Sequence, residues 1–229
     1  MNKQEIYRAI EAFAPLDLAE SWDCSGILVE TPNNNINKIM FALTVTEDII
    51  QQAKAQNCDM IISHHPLFYI PFEWSGIDIY CAHTNMDKTN GGTTDELIKT
   101  LGLNVSSIDE FVRYSEVDMT VDKLIHRLAK LSPYLRYTNT HGIKKLHKIA
   151  FCAGSGTEFI KEAKENGADA FVSGDLKFHT ALESEIAVFD IGHFESEIPI
   201  LKVFSRIIGD RTEKVFAEEK SPFIYYTKQ

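Results

Sequence analysis

Three pairs of side chains in this 229-residue chain have the types and spacing of metal ligands. His64 and His65 are adjacent, and His83-x-x-x-Asp87 and His193-x-x-x-Glu197 share one spacing. Imidazole nitrogen combined with carboxylate oxygen suits Zn²⁺, Mn²⁺, Fe²⁺ or Co²⁺. Such ions act as Lewis acids and make a hydroxide nucleophile available near neutral pH. Each pair also has an ordinary reading. Adjacent strand residues point to opposite faces, so His64 and His65 reach one site only if the backbone bends, which Pro66 permits. Asp87 could simply cap a helix beside a backbone-bonded histidine, and His193 with Glu197 is also a common helical pairing.

A sequence repeat joins the three pairs. Residues 38–68 align without a gap on residues 148–178, with nine identities in 31 positions, Lys38/Lys148, Asp59/Asp169 and Ser63/Ser173 among them. Average composition would give roughly two. The same 110-residue offset carries His83 onto His193 and Asp87 onto Glu197. Five or six His and carboxylate groups exceed the three or four protein ligands usual for one zinc. Two metals about 3.5–4 Å apart suit the count better.

The elements that must position these groups follow from periodicity. Ile6, Ile10 and Phe13 predict a helix over 3–14, stopped by Pro15. SGILVE at 25–30 reads as a strand. Strand 38–43, helix 47–56 capped by Thr46 and strand 59–63 form one β-α-β run that ends on His64 and His65. Strand 148–153, the turn Gly154-Ser155-Gly156, helix 157–166 and strand 169–173 repeat it. Strands 77–83 and 185–193 each end in a histidine, followed by helices over 94–101 and 194–208. Apolar strands alternating with helices pack as parallel sheets with helical cover, and ligands gather at the carboxyl ends of such strands. Between the copies, 104–147 predicts a helix over 121–131 and a strand near 134–139; VFAEE and FIYYTK read as closing strands. The fold class expected is α/β, with two pseudo-repeated lobes over 1–110 and 111–229, packed as one compact unit with the metal site between them.

Bulk properties narrow the class. Hydrophobic content of 44% with 24% charged residues suits a globular protein. No apolar run approaches the ~20 residues that span a bilayer, and MNKQEIYRAIEAF is an acidic amphipathic helix rather than a secretory signal. Cys24, Cys58, Cys81 and Cys152 are widely spaced, as in reduced thiols. A cytoplasmic protein is expected. Net charge of −10 without evident basic clusters makes a poor nucleic-acid binder.

The blocks WDCSGILVE, ALTVTEDII, MIISHHPLFY, CAHTNMDKTNGGTTDELIKTLGL, IAFCAGSGTEFIKEAKENGADAFVSGDLKFHTALES and DIGHFESE occur in order over nearly the whole chain. They resemble the motifs of the Nif-three-like dinuclear-metal-centre family, whose bacterial members are often labelled GTP cyclohydrolase 1 type 2. The resemblance implies two divalent metal ions per chain held by His64, His65, Asp87, His193 and Glu197, with Glu197 favoured over Asp87 as the bridging carboxylate. It implies a homohexameric ring, and a reaction converting GTP and water to 7,8-dihydroneopterin triphosphate and formate through a metal-bound hydroxide. His83 and His179 are the candidates for moving protons. Other readings of the same residues are a metal-dependent nucleotide or phosphoester hydrolase and a non-catalytic metal-binding adaptor.

The chain departs from the family in reading Leu43-Thr44-Val45-Thr46 where L-D-x-T is usual, and in lacking the insertion of longer relatives. Further candidates stay open. The Gly154-Ser155-Gly156 turn could hold a phosphate or simply turn the chain. Trp22-Asp23 could line the pocket or pack between lobes, Asn85 could orient a ligand, and Asp175 sits beside the site in the second copy.

Overall fold

The computed structural model describes residues 1–225. In chain order its first elements are α1 (Lys3–Phe13), β1 (Gly26–Val29), β2 (Lys38–Ala42), α2 (Glu47–Ala55), β3 (Met60–Ser63), β4 (Asp78–Cys81) and α3 (Thr84–Lys88). Next come α4 (Thr93–Thr100), β5 (Ser107–Asp109), β6 (Val112–Thr120), α5 (Val121–Leu128), β7 (Arg136–Thr138) and β8 (Lys145–Phe151). They are followed by α6 (Ile160–Glu165), β9 (Ala170–Ser173), α7 (Phe178–Glu183), β10 (Ala187–Asp190), α8 (His193–Glu197), α9 (Ile200–Ile208) and β11 (Glu213–Phe216). The fold is mixed α/β. Among the described residues, no helix is long and apolar enough to cross a membrane.

The chain forms two compact units, Met1–Gly92 with Ile200–Glu219, and Thr93–Pro199 with residues 220–225. The repeat suggested a division after residue 110; chain packing divides it after Gly92 and returns α9 and β11 to the first unit. The reason is local: α9 packs on α1, and β11 pairs in parallel with β2, Val215 opposite Met40. The single helix expected over 194–208 is therefore two, broken at Pro199, which has no N–H to continue the ladder.

The first unit is built on a five-stranded sheet in the order β1-β4-β3-β2-β11. β2, β3, β4 and β11 are parallel, and β1 runs antiparallel at the edge. Both faces are covered, as continuous apolar strands require. Met40, Ala42, Ile61 and Ile79 pack with Ile49, Ile50 and Ala53 of α2. On the opposite face lie buried Phe41, Ile62 and Tyr80, with Phe41 stacked on Phe204 of α9 and Tyr80 on Tyr7 of α1. Thr46 caps α2 as expected, its hydroxyl accepting from Ile49 N.

The second unit is built on a six-stranded sheet in the order β5-β6-β8-β9-β10-β7. Only β8, β9 and β10 are parallel; β5, β6 and β7 pair antiparallel around them. Ile149, Phe151, Val172 and Phe189 pack with Leu97, Ile98, Leu124 and Leu128 on one face, and Ala150, Phe171 and Val188 with Ile160 and Ala163 on the other. The nine-residue β6 was not legible because Arg113 and Ser115 occupy fully buried positions, and they read as polar interruptions. Arg113 is held there by Asp95, Nε to Oδ2 at 2.6 Å. The helix expected over 157–166 opens as a 3₁₀ turn at Thr157–Phe159, and the one over 121–131 ends at Leu128. FIYYTK falls only partly inside the description: Phe223–Tyr225 are not in a strand, and the remainder lies outside the described residues.

The repeat is structural in each unit. Ile39 pairs with Met60 across β2 and β3, and Ile149 with Ala170 across β8 and β9, the same register in both. Asp59 Oδ2 accepts from Asn37 N and Lys38 N at 2.7 and 3.1 Å; Asp169 Oδ2 accepts from His147 N and Lys148 N at 2.6 and 3.1 Å. This pair of conserved-position carboxylates fixes where each first strand begins relative to its partner.

Candidate metal centre

In the first unit, β3 delivers His64 and His65 at its carboxyl end. The ladder continues past the strand, His64 N donating to Ala42 O and His65 N to Leu43 O. The Ser63 hydroxyl then donates to the His65 carbonyl at 3.1 Å. The chain bends there, and the two imidazoles lie with ring centroids 5.2 Å apart. His64 is fully buried, and its Nδ1 donates to the Ala82 carbonyl at 3.0 Å, which leaves Nε2 as the outward-facing nitrogen, 3.4 Å from Asp87 Oδ1. His65 Nδ1 meets the Thr44 hydroxyl at 2.6 Å. Thr44, where the family pattern has an acidic residue, thus still contacts a candidate ligand.

β4 ends just before His83, whose ring lies 5.3 Å from that of His64 and 5.9 Å from that of His65. Asp87 is one turn further, on α3. Donor atoms of His64, His83 and Asp87 all lie within 4.8 Å of one another. Two imidazoles and a carboxylate on that scale fit a first-row divalent cation. The family resemblance implied a proton-moving role for His83; the structure sets it in the same group of candidate donors as His64 and Asp87.

Asp23 anchors His83. Its side chain is fully buried, and Oδ1 accepts from His83 Nδ1 at 3.0 Å and from Cys24 N at 2.7 Å. Oδ2 accepts from Ser25 Oγ, Thr84 N and Thr84 Oγ1 at 2.8, 3.0 and 2.6 Å. Burial alone would raise this carboxyl, but the hydrogen bonds from His83, Thr84 and Ser25 outweigh it and hold Asp23 well below the usual carboxylate range. Trp22 is 60% exposed, with its ring edge-on to His83 at 6.2 Å. Asn85 is structural: its amide donates to Ala14 O at 2.8 Å and its carbonyl accepts from Ser25 Oγ.

In the second unit, β10 leads into α8, which carries His193 and Glu197 on one face. His193 Nε2 lies 3.0 Å from Glu197 Oε2, and Nδ1 lies 2.7 Å from Asp175 Oδ2. Burial would lower the imidazole, but Glu197 and Asp175 together lift it to about 9. A cation is what this ring, with a carboxylate at each nitrogen, favours: a proton in the free protein or a metal in its place.

The Gly154-Ser155-Gly156 turn has a defined role here. Gly154 N donates to Ser196 Oγ at 2.8 Å, and Gly156 N to Ser173 Oγ at 3.0 Å, so these two N–H groups are already engaged. Of the two readings the turn allowed, the tight strand-to-helix connection is the one these bonds favour. Gly154 has φ +70°, and a Cβ there would sit 2.2 Å from Glu197 Oε1. Glycine at this position leaves the Glu197 carboxylate its room. His179 is exposed on α7, edge-on to Phe178 at 5.3 Å.

Ser196 is a contact that spacing does not reveal, and spacing gives neither Asp23 nor Thr44 its partner. Asp23 and Thr44 each lie two residues or fewer from the start of a quoted motif block, but their partners are 60 and 21 positions away.

A family model described as Duf34/NIF3 (NGG1p interacting factor 3) matches residues 1–224. A Clostridium perfringens protein named GTP cyclohydrolase 1 type 2 homolog is 34% identical, covering 97% of this chain and 99% of its own length. A Campylobacter jejuni protein of the same name is 31% identical over 99% of this chain and all of its own. Among solved structures, a Staphylococcus aureus hypothetical protein superposes with TM-score 0.87 at 22% identity, over 99% of both chains. Reduced HcgD from Methanocaldococcus jannaschii superposes with TM-score 0.82 at 25% identity, over 96% of this chain and 98% of its own.

Proposed function

The chain belongs to the Duf34/NIF3 family, and from that premise we propose that it is a hydrolase dependent on divalent metal ions, with GTP as its substrate. The residues that would hold the ions are His64, His65, Asp87, His193 and Glu197, with two ions expected per chain. The observation that carries it is the approach of two of these ligands, His64 Nε2 to Asp87 Oδ1 at 3.4 Å, with His83 beside them in one group of donor atoms within 4.8 Å of one another. The gap left at Gly154 for the Glu197 carboxylate supports the same reading.

When bound, the ions supply Lewis acidity toward the substrate and toward water. The protein's own groups do the rest. Ala82 O and Thr44 Oγ1 occupy Nδ1 of His64 and His65, so that each ring offers Nε2. Asp175 orients His193 in the same way. His83, fixed at Nδ1 by Asp23, moves protons through its other nitrogen during opening of the guanine ring and loss of formate. The GTP assignment follows the names carried by relatives such as the Clostridium perfringens and Campylobacter jejuni proteins. The same reading includes a homohexamer in the cytoplasm, checked by sedimentation of the purified protein and by fractionation.

The test is metal analysis of protein purified without added metal, paired with formate release from GTP. About two metals per chain and formate that is lost in a His64→Ala/His193→Ala variant are expected. Inorganic phosphate without formate would make the protein a phosphoesterase. Tight metal binding with no turnover of any nucleotide would make it a metal-binding adaptor.

A further inference from the structure

Away from the candidate centre, the second unit carries a cleft of about 610 Å³ walled by α5 and the end of α4. Lys123, His126 and Arg127 lie on α5, and Lys130 in the turn that continues it. Lys123, His126 and Arg127, at i, i+3 and i+4, share one face of α5, and Lys130 lines the same cleft from the turn beyond it. The sequence hides this stripe because Leu124, Ile125 and Leu128 are interleaved with it and face the core. Among the described residues, no carboxylate lines the cleft, although the whole chain carries a net charge of −10.

The basic groups are arranged rather than scattered. Arg127 Nη1 donates to Leu101 O at 2.5 Å and Gly102 O at 3.2 Å, which ties the guanidinium to the end of α4 and satisfies carbonyls a helix end leaves open. Gly102 has φ +69°, and a Cβ there would sit 3.1 Å from Arg127 Nη1, so the glycine leaves the guanidinium its place. His126 Nδ1 lies 2.7 Å from the Asp122 carbonyl, so Nε2 is the ring nitrogen turned outward. Leu101 and Leu131 add an apolar wall.

We propose that this cleft binds an organic di- or triphosphate at a site separate from the metal centre. Four basic groups line the one cleft, more than a single phosphate group engages and matched to a chain of two or three. Lysines supply point charges and the fixed guanidinium a planar donor, the usual complement for phosphate oxygens. The volume falls in the range of small-molecule sites, and the leucines can accept the apolar body of the ligand. The inference does not depend on the hydrolase reading.

Isothermal titration with inorganic tripolyphosphate tests it, using the full chain, a Lys123→Gln/Lys130→Gln variant and the His64→Ala/His193→Ala variant. Both lysines are exposed, so that variant keeps its fold, which its thermal melt checks. The expected result is binding that weakens at least 10-fold in Lys123→Gln/Lys130→Gln, weakens with added salt, and persists in His64→Ala/His193→Ala. Absence of binding, binding indifferent to the lysines, or binding lost only with the histidines would overturn the site. Capture of a poly-glutamate peptide in place of tripolyphosphate would also overturn it, in favour of an acidic protein partner.

Discussion

His83 Nδ1 and Asp23 Oδ1 lie 3.0 Å apart, across 60 residues of sequence, with the Asp23 side chain fully buried. This carboxylate accepts from four other groups besides the imidazole, namely Cys24 N, Ser25 Oγ, Thr84 N and Thr84 Oγ1. It is thus a structural hub as much as a partner for His83.

Asp23→Asn keeps the shape and removes the charge, and it turns an amide N–H toward donors. Unfolding free energy should fall by about 2–4 kcal/mol in urea melts. Because the folded carboxyl is held below its ordinary value, its stabilisation is complete above about pH 4 and is lost as pH falls further. The variant should therefore show a shallower loss of stability on acidification. Equal acid sensitivity in both proteins would refute the role given to Asp23.

Thr44→Val removes the hydroxyl on His65 Nδ1 and keeps the volume. Loss of such an outer partner typically costs 10–100-fold in metal affinity, and a Zn²⁺ competition assay should read about 10-fold here. Thr44→Asp, the residue usual in the family pattern, should bind at least as tightly as the native protein.

Gly154→Ala places a methyl 2.2 Å from Glu197 Oε1 at a residue with φ +70°. Backbone strain alone costs about 1–2 kcal/mol, and the carboxylate must also move. Lower thermal stability together with reduced metal content by elemental analysis is expected; full metal content would show that Glu197 is not a ligand.

His193, lifted to about 9 by Glu197 and Asp175, is protonated in the metal-free protein at neutral pH. Metal must displace that proton. Calorimetry in buffers of different ionisation enthalpy should show proton release at pH 7.5, and apparent affinity should rise with pH until about 9. The sign reverses for stability: a raised imidazole stabilises the metal-free fold fully below about pH 6.5, and this is lost as pH climbs through about 9.

What the sequence alone determined is periodic or repeated. The two β-α-β runs, the strand ends carrying His64, His65, His83 and His193, and the Thr46 cap all follow from hydrophobic alternation and helical spacing, which are short-range, and from a repeat at a 110-residue offset, which is visible without knowing any contact. Tertiary structure alone decided what depends on distant partners. Arg113 hid a nine-residue strand because its charge is met by Asp95, eighteen residues earlier in the chain. Pro199 and an apolar α9 face sent the C-terminal helix back to α1. Asp23 and Thr44 became partners of candidate ligands because strand pairing brings residues far apart in sequence together, β1 antiparallel to β4 for Asp23 and His83 and β2 parallel to β3 for Thr44 and His65, and nothing in local spacing encodes which of them will meet.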